Sequence, residues 1–324
     1  MKTTMFSRTK TLPVTIGTLT LSAALISPSA FAGNFSNKLL LTGGVSQVEG
    51  AAGGGLTPWA VIGGYGTNNE VGANLHYTYV DTGDFELDSY GVALGLYDRV
   101  ELSLAKQSFD VADLRGKVLA GLGADAVATN DLKQTIFGIK VRVAGDAVLD
   151  ADSWMPQISV GAQYKELDNA SSRFALSPVI GARDDHGVDY YASATKLLLD
   201  KSTLLNATLR FTKANQFGLL GFGGDLNNSY EPMLELSAAY LLSKNLAVGA
   251  EYRMKPHNLR SPALGDAVDL RESDAYDLFV AYAPSKNVSL TAAYVYLDNI
   301  ANVPVVGADY RKQDGIYLSA QFGF

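Results

Sequence analysis

With 324 residues, no cysteine and a formal charge of −7, the chain has neither a disulfide framework nor the clustered Lys and Arg that binding nucleic acid requires. Glycine and tyrosine are abundant, mean hydropathy is close to zero, and past residue 32 no stretch approaches the roughly 18 apolar residues of a membrane helix. A β-barrel in lipid has this profile, because lipid-facing and lumen-facing residues alternate; a soluble β-sandwich has the same composition, so periodicity must separate them.

The first 32 residues read as an export signal. Lys2, Arg8 and Lys10 precede an apolar stretch from Leu12 to Ile26, and Ala30-Phe31-Ala32 forms a small-x-small site that predicts cleavage before Gly33. The other reading is a membrane anchor, against which stand the short apolar stretch and its Pro13 and Gly17. Removing this segment, which holds three basic and no acidic residues, leaves 292 residues and takes the charge from −7 to −10.

From there a period-2 pattern recurs along the chain and predicts strands near 38–48, 58–66, 70–80, 87–97, 100–108, 132–143, 157–165, 188–197, 203–212, 233–242, 246–254, 275–283, 288–296 and 314–324. In Leu205–Phe211, for example, Leu205, Ala207, Leu209 and Phe211 alternate with Asn206, Thr208 and Arg210. The expected fold is all-β: an antiparallel, up-and-down transmembrane barrel of about fourteen strands. Twelve is the alternative, in which the glycine-rich pair before residue 67 becomes an N-terminal plug or loop.

Connections fall into two classes. Asp98-Arg99, Asp200-Lys201-Ser202, Ser243-Lys244-Asn245 and Ser285-Lys286-Asn287 are short turns, while 109–131, 166–187, 213–232, 255–274 and 297–313 are long polar loops. Outer-membrane barrels carry short turns on the periplasmic side and long loops outside, which places both termini in the periplasm. Aromatics then sort into an outer belt (Tyr79, Tyr90, Tyr164, Tyr190, Phe211, Tyr252, Tyr276, Tyr296) and a periplasmic one (Tyr65, Tyr97, Tyr240, Tyr282, Phe322, Phe324). Register follows from charge: turning Glu251 and Arg253 toward hydrocarbon costs about 2–4 kcal/mol for an Arg at the midplane.

In the last strand Ile316, Leu318, Ala320, Phe322 and Phe324 occupy alternate positions back from the C-terminus. This resembles the C-terminal signal of Gram-negative outer-membrane proteins, which implies recognition by the barrel-assembly machinery and a place among outer-membrane lipid and lipopolysaccharide. More narrowly, Gly53-Gly54-Gly55-Leu56-Thr57-Pro58-Trp59-Ala60 and Gly95-Leu96-Tyr97-Asp98-Arg99-Val100-Glu101-Leu102-Ser103 are similar to a proteobacterial domain family of unknown function. That resemblance would cover nearly the whole mature chain and implies no activity.

No catalytic or metal constellation stands out, and no cofactor is implied. There is no Walker loop; Gly121-Leu122-Gly123 and the run from Gly218 to Gly224 read as flexible loops, and Asp146, Asp150 and Asp152 lack EF-hand spacing. His76 falls on a lumen-facing position, and His186 and His257 lie in outer loops without a paired serine motif, so an enzyme is not expected.

More informative are Lys140, Arg142, Lys165, Arg210, Glu235, Glu251, Arg253 and Asp277, which fall on inward positions of neighbouring strands. They form either a mixed-charge constriction that filters polar solutes or a set of ion pairs that keeps the interior satisfied. The loop Phe217–Phe222 either folds into the lumen, packs on the barrel rim or touches lipopolysaccharide. A passive, porin-like channel for small polar solutes is the leading expectation. A closed interaction barrel with surface loops comes second and a lipid-modifying enzyme third; the chain lacks room for the plug domain and larger barrel of a TonB-dependent transporter.

Overall fold

A computed structural model describes residues 38, 41–42, 45–115, 129–148 and 153–324. The expected cleavage residues Ala30, Ala32 and Gly33 lie outside this set, as do Gly121–Gly123, Asp150 and Asp152.

Apolar–polar alternation becomes a closed sheet. The strands are β1 (Val71–Asp81), β2 (Glu86–Leu96), β3 (Val100–Asp110), β4 (Asp131–Ala144), β5 (Gln157–Leu167), β6 (His186–Leu198), β7 (Thr203–Thr212), β8 (Glu231–Ser243), β9 (Leu246–Arg253), β10 (Ala275–Tyr282), β11 (Val288–Asp298), a small hairpin β12 (Ala301–Val303) and β13 (Ala308–Tyr310), and β14 (Gln313–Gly323). All but β12 and β13 close an antiparallel barrel in which each strand pairs with its chain neighbour and β14 lies between β11 and β1. Closure leaves no edge with unpaired main-chain groups, a requirement for any sheet in hydrocarbon.

Hydrophobicity is inverted relative to a soluble barrel. On β10, Leu278 is 66% exposed on the outer face while the adjacent Asp277 is 2% exposed on the inner one. Leu75, Phe137, Leu205, Leu236, Tyr294 and Leu318 likewise stand outside, and Asn74, Lys140, Asn206, Ser237 and Ser319 face inward. Such an outer surface is stable only in lipid.

The barrel has twelve strands, so the expectation of fourteen is corrected. Among the described residues, neither 38–48 nor 58–66 forms a strand; residues 45–66 make only isolated bridges, Ser46 with Ala52 and Gly53 with Pro58. Once β14 pairs with β1 the sheet has no free position, and this segment's apolar residues are buried in the interior instead. Tyr65 accordingly leaves the predicted periplasmic belt and is buried.

One end of the barrel carries the long loops and the other the short turns, with an exception at each: residues 82–85 are a tight turn at the loop end, and 145–156 a longer connection at the turn end. At the turn end the C-terminus closes the seam, since Phe324 N–H donates to Ala73 O (2.8 Å) and Phe324 O accepts from Ala73 N–H (2.7 Å).

Candidate functional site

Residues 45–66 are buried throughout and occupy the lumen. The segment folds on itself through Gln47 N–H to Ala51 O (2.9 Å), Val48 N–H to Gly55 O (2.9 Å) and Trp59 N–H to Ala52 O (3.1 Å). At the turn end Lys38 pairs with Asp98 at 2.6 Å, and the chain returns there at Tyr65, whose N–H donates to Phe324 O (3.2 Å). Between these points the segment rises to Glu49, level with the loop-end halves of β5 to β9.

Glu49 is where the predicted lumen charges converge. It pairs with Lys165 and with Arg253 (3.1 Å), and Arg210 lies 3.6 Å away. The cations are also shared among wall carboxylates: Lys165 with Asp189 (2.7 Å), Arg210 with Asp189 (3.2 Å) and Glu235 (2.6 Å), and Arg253 with Glu235 (3.2 Å). Three cations meeting one inserted carboxylate is a clamp, because losing one member of a buried ionic network costs about 3–5 kcal/mol.

Other candidates hold the segment's main chain. Lys140 donates to Ala52 O (3.0 Å) and Val61 O (2.9 Å) and pairs with Glu101, which accepts from Ala52 N–H (3.0 Å) and Gly63 N–H (2.8 Å). Glu251 accepts from Leu56 N–H, the Thr57 hydroxyl (both 2.7 Å) and the Ser237 hydroxyl (2.6 Å). Arg142 is separate, pairing with Asp98 (2.9 Å) and Asp146 (2.7 Å) at the turn end. Neither oxygen of Asp277 has a hydrogen-bond partner among the described residues.

Sequence reasoning missed Glu49, Glu101 and Asp189. Glu101 and Asp189 sit on the inward phase of their strands and were accessible to the alternation argument. Nothing comparable marked Glu49, which follows a segment read as a strand.

Above Glu49 the loop after β7 folds inward. Gln216 and Phe217 adopt left-handed backbone (φ 43° and 62°), which turns the chain into the lumen. Phe217 O accepts from Lys165 Nζ (3.0 Å), and the Phe217 ring lies 4.4 Å below the Arg253 guanidinium. The turn is tied to the next loop: Gln216 N–H donates to Glu272 (2.9 Å), and Lys255 donates to the Gln216 side chain (3.2 Å). Burial pushes the Glu272 carboxyl up to about 7 against the opposing Lys255 charge. Further out, Phe174, Ile180, Leu219, Leu220, Leu259 and Leu270 pack into an apolar roof over the loop end.

Histidines assemble no hydrolytic relay among the described residues. His76 lies inside with neither ring nitrogen partnered, and His186, expected in an outer loop, is instead the exposed first residue of β6, where its Nδ1 meets Asp185 (2.8 Å).

A family model described as "Protein of unknown function (DUF3034)" matches residues 42–321. The chain belongs to the DUF3034 family. Its match takes in the lumenal segment and the twelve barrel strands together, up to residue 321 in β14. Solved structures of similar shape include the NanC porin (9% identity, TM-score 0.48, covering 77% of this chain and 98% of that one). The KdgM porin (10%, 0.44, 78% and 99%) and outer membrane phospholipase A from Escherichia coli (9%, 0.37, 81% and 94%) are further examples. Likenesses this remote carry no inference about cargo or chemistry. No curated protein matches the chain. With its apolar outer face, this DUF3034 chain is a membrane-spanning β-barrel.

Proposed function

We propose that the barrel is a channel for small polar solutes that its own N-terminal segment holds closed, with both termini periplasmic and residues 1–32 removed on export. One observation carries this reading: residues 45–66 fill the lumen and are clamped at Glu49 by Lys165, Arg210 and Arg253. A barrel meant only as a rigid scaffold could fill its interior with side chains from its own wall. Here the charged part of the wall is satisfied partly by its own ion pairs and partly by a segment tethered at the turn end, where a periplasmic event could withdraw it. Withdrawal would uncover Lys140, Lys165, Arg210, Glu235, Glu251, Arg253 and Asp277 as a mixed-charge lining.

Ile316, Leu318, Ala320, Phe322 and Phe324 serve in this reading as the strand read by the assembly machinery, with lipopolysaccharide meeting the loop end. A second reading, a closed interaction barrel, draws on the apolar roof that ties the loops together. Catalysis is disfavoured because His76 is enclosed and His186 is paired only with an exposed aspartate.

Planar-bilayer recording of the purified wild-type protein and of Glu49→Gln separates them. The channel reading expects rare openings in wild type and frequent steps in the variant. Silence from both, at any salt concentration, overturns it in favour of the closed barrel.

A further inference from the structure

We infer that the solutes this channel admits are cationic, and that they pass along the wall formed by β10, β11, β14 and β1, with Asp277 as the selectivity residue; this rests on the channel reading above. The observation is an uneven distribution of unpartnered polar groups. The described barrel strands hold six residues with a buried polar side-chain atom that meets no hydrogen-bond partner. Five of them are Asn74 and His76 on β1, Thr291 on β11, Asp277 on β10 and Tyr317 on β14, four strands that adjoin in the closed sheet. The sixth, Gln134 on β4, still donates to Gln107 (2.6 Å), as Asn74 still accepts from the Ser46 hydroxyl (2.9 Å) while its amide nitrogen stays unpartnered.

Leaving such groups dry costs about 1–3 kcal/mol each, so these positions mark where a wall that also turns Phe279, Ala281, Ala293 and Val295 inward is made to meet water. They span the barrel's length: Asn74 and Thr291 lie toward the turn end, His76 midway, and Asp277 and Tyr317 toward the loop end. The inserted segment presents two glycines, Gly54 and Gly55, to the loop-end part of this wall, while Trp59 and Val45 pack against Phe279 further along β10. A Cβ on Gly55 would stand 3.3 Å from both Asp277 Oδ2 and Tyr317 Cζ and 3.4 Å from Glu251 Oε2.

Charge gives the sign. The four strands present no Lys or Arg to the lumen. Lys165 and Arg210 across from them, and Arg253 on the adjoining β9, remain paired with Asp189 and Glu235 even without Glu49. Glu251, opposite Asp277 in the β9–β10 register, also meets no cation, so the charge left uncompensated in this sector is that of two neighbouring carboxylates. A site of this kind favours a cationic solute and repels anions.

The test is the reversal potential of Glu49→Gln channels under a tenfold KCl gradient. Potassium should be preferred over chloride. Adding Asp277→Asn should cut the permeability ratio several-fold, adding Asp277→Glu should keep it, and adding Asp200→Asn, in an exposed turn, should leave it unchanged. Chloride preference, no preference, or a ratio unmoved by Asp277→Asn overturns the inference while leaving the channel intact. Absence of any current overturns the channel reading and this inference with it.

Discussion

Glu49 and Arg253 are joined at 3.1 Å, both buried, across 204 residues of chain, and this contact links a segment outside the sheet to the wall of the barrel. Because Lys165 and Arg210 converge on the same carboxylate, Glu49 anchors the segment more firmly than any single pair could. Replacing it by Gln keeps the shape and removes the charge. The clamp should weaken by about 3–5 kcal/mol. As the chain lacks cysteine, a single Ala51→Cys reports directly: a membrane-impermeant maleimide should label it in the Glu49→Gln background and not otherwise. Equal labelling in both would remove Glu49 from the clamp.

The glycine run beside Thr57 has a steric cause. A Cβ on Gly54 would run into the Glu251 carboxylate, which holds Leu56 and Thr57. Gly54→Ala should therefore lose about 1–3 kcal/mol by overpacking. In the Ala51→Cys background it should also raise maleimide labelling, though less than Glu49→Gln does. The same change at Gly83, with open space around its Cβ but a positive φ, should leave the thiol of Ala51→Cys protected.

The outer face has its own test. Leu278→Lys places an ammonium on the most exposed large apolar position of β10 and should cost about 2–4 kcal/mol near mid-bilayer, read as a lower denaturant midpoint in lipid vesicles. An unchanged midpoint would contradict a lipid-facing β10.

Glu272 makes the inward loop pH-sensitive. Its carboxyl is raised from the usual 4.5 to about 7 by burial, against the opposing charges of Lys255 and Arg253 and the Gln216 N–H it accepts. An acid whose folded value is raised contributes fully below pH 4.5 and loses that contribution as pH climbs toward 7. Hydrogen-exchange protection at Gln216, corrected for intrinsic rates, should therefore fall between pH 4.5 and 7 and then level off. In Glu272→Gln the protection should be flat across that window; a persisting slope would assign it elsewhere.

Every strand from β1 onward was legible in the sequence, apart from the three-residue strands β12 and β13, because a barrel in lipid writes its two environments into alternate residues. On β7, Leu205 and Leu209 meet lipid and Asn206 and Arg210 meet the interior, so the pattern cannot slip by one. Residues 45–66 follow no such rule. Their apolar side chains pack against an apolar sector of the inner wall, where Trp59 and Val45 meet Leu197, Leu204, Ala239, Ala247 and Phe279. That sector was the overlooked signal: leucine and phenylalanine on inward phases suit a lumen only if something apolar fills it. The inward charges were readable for the same reason as the strands, but their partner Glu49 was not, since a carboxylate in an irregular segment carries no phase.

Thr57 and Ser237 offer the most direct test that the segment governs the channel. Their hydroxyl oxygens lie 2.5 Å apart, close enough for cysteines at both positions to form a disulfide in a chain that otherwise has none. In planar bilayers the oxidised Thr57→Cys/Ser237→Cys protein should show no large conductance steps, and adding a reductant should release them. Large steps while the disulfide is intact would contradict a lumen gated by residues 45–66.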